Sequence, residues 1–358
     1  MTQDQNADST ISRLESRAET LQKSGLLSSI RDSLEDLDTQ INQMPSQLTE
    51  LRTKGYVFKR YLEEKAQALK TDWPTLRQQV QREIDARSRD LESDLHRVES
   101  TVRSLAMYKG KALTSAQSAI NRAESELDSA ERRVKAANDT ASGMFDRKKS
   151  DAYQINREIE QCLEWLGWVD KASFGFQPGE ALVEAVKGQW LQDGNKEGPK
   201  GILFLTDRRI VFEQREKVAK KKVLFITTAS EEVQEVQWEA PLGAIVEAQA
   251  SEQRKALIMK KEHLTLKFKP PATIREVLVE LSGGDSDEWR ALINRMLSGD
   301  VEKERIAGAA QAAAVEAAIE VPSKCPSCGA SLDIQVVKGM SALKCPFCGT
   351  NVPLTKNA

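Results

Sequence analysis

The chain has 358 residues, of which 40% are hydrophobic, 30% are charged and 5% are aromatic, and its formal net charge is -2. A charge so close to zero excludes bulk attraction of the whole chain to nucleic acid or acidic membranes, so any such binding requires a local patch. No stretch approaches the roughly 18 apolar residues of a membrane span, and Met1 to Ser9 lacks an apolar signal-peptide core. Length and composition therefore predict a cytoplasmic protein of two or three domains.

Residues 8–171 have the apolar spacing of a coiled coil. Apolar residues recur in steps of three and four, and a narrow stripe of this kind cannot bury itself. The helices must therefore pack against helices of the same chain or of a second copy, which makes a homo-oligomer one of two open alternatives. The clearest part of the seam comprises Leu27, Ile30, Leu34, Leu37, Ile41, Met44, Leu48 and Leu51.

Three positions predict interruptions of this helical rod. Pro74 follows Thr71-Asp72-Trp73, which has the composition of a helix start, so a boundary is expected there and the rod can fold back at it. Pro45 removes one helical hydrogen bond and predicts either a kink or a new helix. Ser142-Gly143 predicts a second break.

The helical spacing of apolar residues stops in residues 173–299. Short runs rich in Val, Ile, Leu, Phe and Trp there predict seven strands. An acidic start at Asp285 followed by apolar residues at helical spacing predicts a helix after them. Seven short strands and a helix suggest a small barrel or sandwich that the helix plugs. The strand candidates are Ala181–Leu191, Gly201–Gln214, Val223–Thr227, Val233–Trp238, Ile245–Ala250, Ala256–Lys260 and Leu264–Phe268.

The segment from Gly201 to Phe212, GILFLTDRRIVF, resembles the strand-turn-strand signature of GRAM and bacterial PH-like domains. The resemblance implies an α+β small barrel with a carboxyl-terminal helix, and lipid or protein binding as the function. It also implies a structural turn for Thr206, Asp207, Arg208 and Arg209.

Lys217, Lys220, Lys221 and Lys222 form the best candidate for binding an anionic surface. They are expected in the loop after the third strand, whereas PH-type headgroup sites usually use the loop between the first two strands. The sequence therefore predicts either a weak peripheral contact with anionic membrane or a solvated hairpin tip.

Residues 300–322 are rich in alanine and predict a helical linker, with Ile306 to Ile319 helical and Pro322 ending the helix. Residues 323–354 then contain two Cys-x-x-Cys motifs separated by 16 residues, a spacing that is typical of a four-cysteine zinc ribbon. The segment also resembles bacterial zinc-ribbon modules. One structural Zn2+ is therefore expected, with four thiolates that leave no open position for catalysis. The ligands are Cys325, Cys328, Cys345 and Cys348.

The predicted fold is multidomain: a helical coiled coil, a PH-like barrel and a small zinc ribbon. The chain has only two histidines, His96 and His263, far apart in sequence, and no nucleotide or nucleophile motif, so no enzyme is expected. The leading hypothesis is a self-associating scaffold that presents its modules to protein partners or a membrane surface. The alternative is nucleic-acid binding by the ribbon, where Phe347 is the only aromatic residue. From Ser323 onward the charged residues are Lys324, Lys338, Lys344, Lys356 and Asp333.

Overall fold

The computed structural model of the chain divides into two compact units. The first comprises Met1–Ser46 and Glu63–Arg157, and the second comprises Gln47–Leu62 and Glu158–Ala358. None of the described helices is long and apolar enough to cross a membrane. The residues that the structure describes are 7–192, 198–223, 226–255, 259–306, 324–332 and 342–353.

Five α-helices form the amino-terminal half of the described chain. They are α1 Asp8–Gly25, α2 Ser28–Thr53, α3 Tyr61–Ser104, α4 Leu113–Gly143 and α5 Asp146–Val169. In the first unit α2 and α3 are antiparallel, because Arg31 meets Asp85 at 2.9 Å and Arg77 meets Asp38 at 3.4 Å.

Helices α1 and α4 run parallel to one another. Arg13 meets Glu124 at 2.8 Å and Arg17 meets Asp128 at 2.7 Å, so both sequences advance in the same direction. These ion pairs are largely exposed, and such pairs contribute about 0–1 kcal/mol each. The stability of the unit must come mainly from the apolar seams.

The seam of α2 is buried within a single chain. Leu34, Leu37 and Ile41 are 1–2% exposed, as are residues of the facing helix such as Val80 and Ile84 at 0%. Complete burial of one such side chain stabilises by about 1.5–3 kcal/mol. Of the two alternatives that the sequence left open, the structure therefore supplies partner helices from the same chain.

The predicted boundary at Pro74 is wrong, because Pro74 lies inside α3. The residue before it, Trp73, is 2% exposed and donates its indole N–H to Asp38 Oδ1 at 2.8 Å. This packing holds the helix in register, while Pro74 itself faces solvent where water can hydrate the carbonyl it leaves unpaired. Pro45 likewise lies inside α2 rather than starting a new helix.

The chain reverses direction elsewhere, in residues 54–60 and residues 105–112. Gly55 has φ 92°, in the left-handed region that glycine adopts without strain, and Lys59 also has a positive φ of 57°. The second break is confirmed, since α4 ends at Gly143.

The second unit contains a seven-stranded antiparallel sheet with the order β4-β3-β2-β1-β7-β6-β5. The strands are β1 Leu182–Leu191, β2 Lys200–Thr206, β3 Arg209–Val223, β4 Ile226–Pro241, β5 Ile245–Lys255, β6 Met259–Phe268 and β7 Glu276–Ser282.

The number of strands agrees with the prediction, but their limits differ. The candidate Gly201–Gln214 splits into β2 and β3, and the candidate Val223–Thr227 spans the end of β3 and the start of β4. Ala256–Lys260 and Leu264–Phe268 were predicted as separate strands, whereas β6 runs continuously from Met259. Strand β7 was missed.

Helix α6, Ser286–Leu297, follows the sheet as predicted. The carboxylate of Asp285 accepts hydrogen bonds from the N–H groups of Asp287 and Glu288 at 2.9 and 3.1 Å, which satisfies two donors of the first turn. Trp289 and Ile293 are 1% and 0% exposed, so one face of this helix belongs to the core.

Strands β3 and β4 extend past the rest of the sheet as a two-stranded arm. Strand β2 pairs with β3 only as far as Gln214, whereas β3 continues to pair with β4 up to Val223 opposite Ile226. At about 3.3 Å per residue, the part of β3 beyond Gln214 is about 30 Å long. We call residues 215–223 and 226–234 the β3–β4 arm.

Candidate metal centre

Two short turns near the carboxyl terminus have the same backbone structure. We call residues 325–329 the first knuckle and residues 345–349 the second knuckle. In each, the glycine donates its N–H to the carbonyl oxygen of the first cysteine at 2.9 Å. The φ angles are 73° at Gly329 and 76° at Gly349, which a residue with a Cβ adopts only with strain. The repeated Cys-Pro-x-Cys-Gly sequence therefore forms the same turn twice.

A short antiparallel pairing closes each knuckle. Lys324 bridges to Ser331 around the first, and strands β8 Ala342–Lys344 and β9 Asn351–Pro353 pair around the second. From residue 307 onward, the predicted alanine-rich linker helix lies outside the described residues. The pairing brings the two cysteines of each turn to one end of a short loop.

The four predicted ligands come together. Their sulfur atoms all lie within 4.8 Å of one another, and the Cys325–Cys348 and Cys328–Cys345 Sγ pairs are 3.7 Å apart. A tetrahedral ion with Zn–S bonds of about 2.3 Å would separate its sulfurs by about 3.8 Å, whereas a disulfide requires about 2.05 Å. The donor set and spacing therefore fit one tetrahedral thiophilic ion and exclude disulfides. Among the described residues this is the only such group of His, Cys, Asp or Glu side chains.

The four candidate lysines lie in strand β3, so their predicted position in a loop is wrong. The cross-strand register separates them into two sets. Lys217 is exposed and stands opposite Glu232, whereas Lys221 and Lys222 stand opposite Ala229 and Thr227. Lys220 occupies the bulge between these pairs.

The turn from Thr206 to Arg209 is held by a buried carboxylate. Glu180, whose side chain is fully buried, accepts hydrogen bonds from Arg209 Nε at 2.9 Å, Arg209 Nη2 at 3.1 Å and the Thr206 hydroxyl at 2.7 Å. The Asp207 carboxylate accepts the N–H of Ala181 at 2.9 Å. These contacts are those of a structural turn, as the resemblance implies. Arg208 is exposed.

The remaining residues considered from sequence are isolated from any ligand cluster. The His96 side chain is 73% exposed, and its nearest charged neighbour is Glu99 at 3.9 Å. His263 is 3% exposed, with Nε2 3.4 Å from a Glu280 carboxylate oxygen. Neither histidine adds a metal ligand or a catalytic pair among the described residues.

A buried titratable cluster in the second unit was not found from sequence. It joins the turn before α3, helix α5 and strand β1. Tyr56 is fully buried and donates its hydroxyl to the Val183 carbonyl at 2.9 Å, and Lys59 Nζ lies 3.6 Å from a Glu158 oxygen. Because the members come from three distant segments, no local sequence signal unites them.

Burial dominates the electrostatics of this cluster. It raises the pKa of Glu184 to about 7, with Lys59 opposing the rise. It also raises the pKa of the Cys162 thiol to about 11, so this cysteine stays a protonated thiol near neutral pH. Cys162 is therefore not an activated thiolate, whereas Glu184 titrates near neutral pH.

Neither a family model nor a curated protein matches the chain. Several solved structures with PH domains do. The DH/PH domains of p115-RhoGEF match with TM-score 0.21 and 12% identity over 78% of this chain and 98% of that one. A Vav1 exchange-factor structure with PH and C1 domains matches with TM-score 0.23 and 8% identity, over 76% of this chain and 83% of that one. The DH/PH fragment of PDZRHOGEF in complex with human RhoA matches with TM-score 0.25 and 13% identity, over 84% of this chain and 96% of that one. TM-scores this low do not identify an activity. The strand order and the positions of the four sulfur atoms are observed independently of these similarities.

Proposed function

We propose that this protein is a scaffold or adaptor that presents a PH-like sheet domain and a zinc-stabilised ribbon to protein partners. The four-cysteine centre carries the proposal. Four thiolates would saturate a tetrahedral Zn2+, leaving no position for a water or substrate, so the ion would hold the two knuckles together rather than catalyse. That the chain is not an enzyme stays a prediction.

The arrangement of the ribbon supports a surface for recognition. In the second knuckle Phe347 is 71% exposed on a turn that the ion would clamp, and exposed aromatic residues on rigid supports are frequent anchors of protein interfaces. The first knuckle has Ser327 at the corresponding position and the same backbone hydrogen bonds. The knuckle therefore folds without the aromatic ring, which is free to serve binding.

Self-association is a separate prediction. It was based on an apolar seam that needs a partner helix. The seam that required a partner helix is already buried within one chain. Light scattering of the full chain over a wide concentration range measures this directly. A constant mass of one chain would separate the adaptor proposal from the oligomer prediction.

The experiment for the adaptor proposal is crosslinking in cells followed by affinity purification of the full chain. Phe347→Ser makes the second knuckle match the first and should preserve the zinc content. We expect the partners captured by the wild type to be lost from Phe347→Ser and from Cys348→Ser, but retained by Ser327→Ala. An identical set of partners from all variants would contradict recognition through the ribbon.

The same variants address nucleic-acid binding by the ribbon. A Zn2+ ion with four thiolates has a net negative charge, which offsets much of the positive charge of the lysines in this segment of the sequence. Protein partners are therefore the leading proposal. Binding of random oligonucleotides that weakens steeply with salt and is lost in Phe347→Ser would favour the alternative.

A further inference from the structure

The four cysteines of the candidate metal centre differ in their access to solvent. Cys325 and Cys345, the first cysteine of each knuckle, are each 2% exposed, whereas Cys328 and Cys348, the second of each, are exposed. The N–H of each first cysteine donates to the carbonyl oxygen five residues ahead, at 2.8 and 2.9 Å, which holds that residue inside the turn. Each knuckle therefore has one shielded cysteine and one that a small solute can reach.

The closest sulfur pairs cross from one knuckle to the other. Cys328 Sγ lies 3.7 Å from Cys345 Sγ, and Cys348 Sγ lies 3.7 Å from Cys325 Sγ. Each pair therefore joins an exposed cysteine to a shielded one. A disulfide bond is about 2.05 Å long, so an approach of about 1.6 Å between the two sulfurs of a pair would be enough to form one.

One hydroxyl group makes the two exposed cysteines unequal. Thr350 Oγ1 lies 3.3 Å from Cys348 Sγ, and a thiolate at this position accepts the hydrogen bond of that hydroxyl. The first knuckle has Ala330 at the corresponding position, which has no hydroxyl. A thiolate whose charge is stabilised in this way is the weaker nucleophile. Cys328 is therefore the more reactive of the two exposed cysteines.

We propose that Cys328 is a site of oxidation by hydroperoxides, and that Cys345 then forms a disulfide with it across the two knuckles. A bound Zn2+ supplies the reactive form of both residues, because coordinating thiols are deprotonated and the thiolate is the form that peroxides oxidise. The inference rests on the proposed function in that the ribbon is the presenting module. Oxidation would end that presentation.

The reaction balances in two steps. The Cys328 thiolate attacks the terminal oxygen of the hydroperoxide, so an S–O bond forms, the O–O bond breaks, and the leaving alkoxide or hydroxide takes a proton from water. The Cys345 thiolate then attacks the sulfur of this sulfenic acid, so the S–S bond forms, the S–O bond breaks, and hydroxide leaves and is protonated to water. The two sulfurs lose two electrons to the peroxide. Two of the four metal ligands are consumed, so the ribbon would release its ion.

Hydrogen peroxide added to the zinc-loaded full chain tests the proposal. Released zinc is measured with a chromogenic chelator, and disulfides are mapped by mass spectrometry of peptides prepared without reductant. We expect one zinc released per Cys328–Cys345 disulfide, and recovery of the zinc site with dithiothreitol and added Zn2+. The Cys325–Cys348 disulfide should form about three-fold more slowly. Cys162, a buried protonated thiol, should stay reduced.

The two knuckles supply matched variants for this test. Thr350→Ala makes the second knuckle match the first at this position, so it should preserve the zinc content and remove the three-fold difference between the two disulfides. Ala330→Thr places a hydroxyl beside Cys328 and should slow formation of its disulfide. Equal rates for the two disulfides in the wild type, or a disulfide within one knuckle, would overturn the proposal.

An exposed methionine provides an internal reference for the peroxide dose. Met107 is 64% exposed, so its sulfoxide should form under the same conditions. Oxidation of Met107 while the zinc stays bound would contradict this proposal alone, provided that the reduced chain still captures its partners. Zinc release by peroxide, together with the same partners captured by Phe347→Ser as by the wild type, would contradict the adaptor proposal alone.

Discussion

The ion pair between Arg209 and Glu180 should be the main electrostatic support of the turn between β2 and β3. The Glu180 side chain is fully buried and that of Arg209 is 12% exposed. Arg209→Ala leaves the carboxylate with the Thr206 hydroxyl and the N–H of Gln177, at 2.7 and 2.6 Å, but without a compensating charge. Removal of one partner of a buried pair costs about 3–5 kcal/mol.

Hydrogen exchange measured by mass spectrometry would localise this loss. Amides of β2 and β3 should exchange about 100- to 5,000-fold faster in Arg209→Ala, if they open through unfolding of the sheet domain. The neighbouring Arg208 is exposed and has the same charge, so Arg208→Ala should change stability by no more than about 0.5 kcal/mol. Combining Arg209→Ala with Glu180→Gln should cost less than the sum of the single effects. Equal exchange in the two arginine variants would refute the reasoning.

Three further predictions concern the metal, the helices and pH. The purified chain should contain about one zinc ion, and Cys325→Ser should release it without loss of helical circular dichroism, because structural zinc contributes about 10–16 kcal/mol to its own small module. A zinc-free wild type would contradict this. Leu37→Ala should destabilise the helical unit to urea by about 2–5 kcal/mol, whereas the exposed Glu35→Ala should change it by less than about 0.5 kcal/mol. Similar urea midpoints for Leu37→Ala and Glu35→Ala would argue against a seam buried within the chain. Burial raises the pKa of Glu184 from 4.5 to about 7, so this carboxyl group keeps its proton to a higher pH in the folded state than in the unfolded state. Thermal unfolding should therefore show wild-type stability falling between about pH 4.5 and 7, by up to about 3 kcal/mol, and a flatter profile for Glu184→Gln.

Local chemistry made several parts of this protein predictable. The knuckles were found because two cysteines separated by two residues can reach one ion within a single turn. The start of α6 was found because Asp285 caps the N–H groups two and three residues ahead. Strand β7 could also have been found, since Val277, Val279 and Leu281 alternate with more exposed residues as in a half-buried strand.

Long-range packing decided the rest. The heptad period required a partner for the seam of α2, but a periodic pattern does not say which helix supplies it. The buried Trp73 keeps α3 continuous despite the break that Pro74 predicts, because contacts with a distant helix outweigh one lost hydrogen bond. The cross-strand neighbours of Lys217 and Lys222 depend on strand register, and the raised pKa of Glu184 depends on its burial in the folded chain. Each is a relation between residues far apart in the chain, which composition and spacing do not encode and which only the folded structure determines.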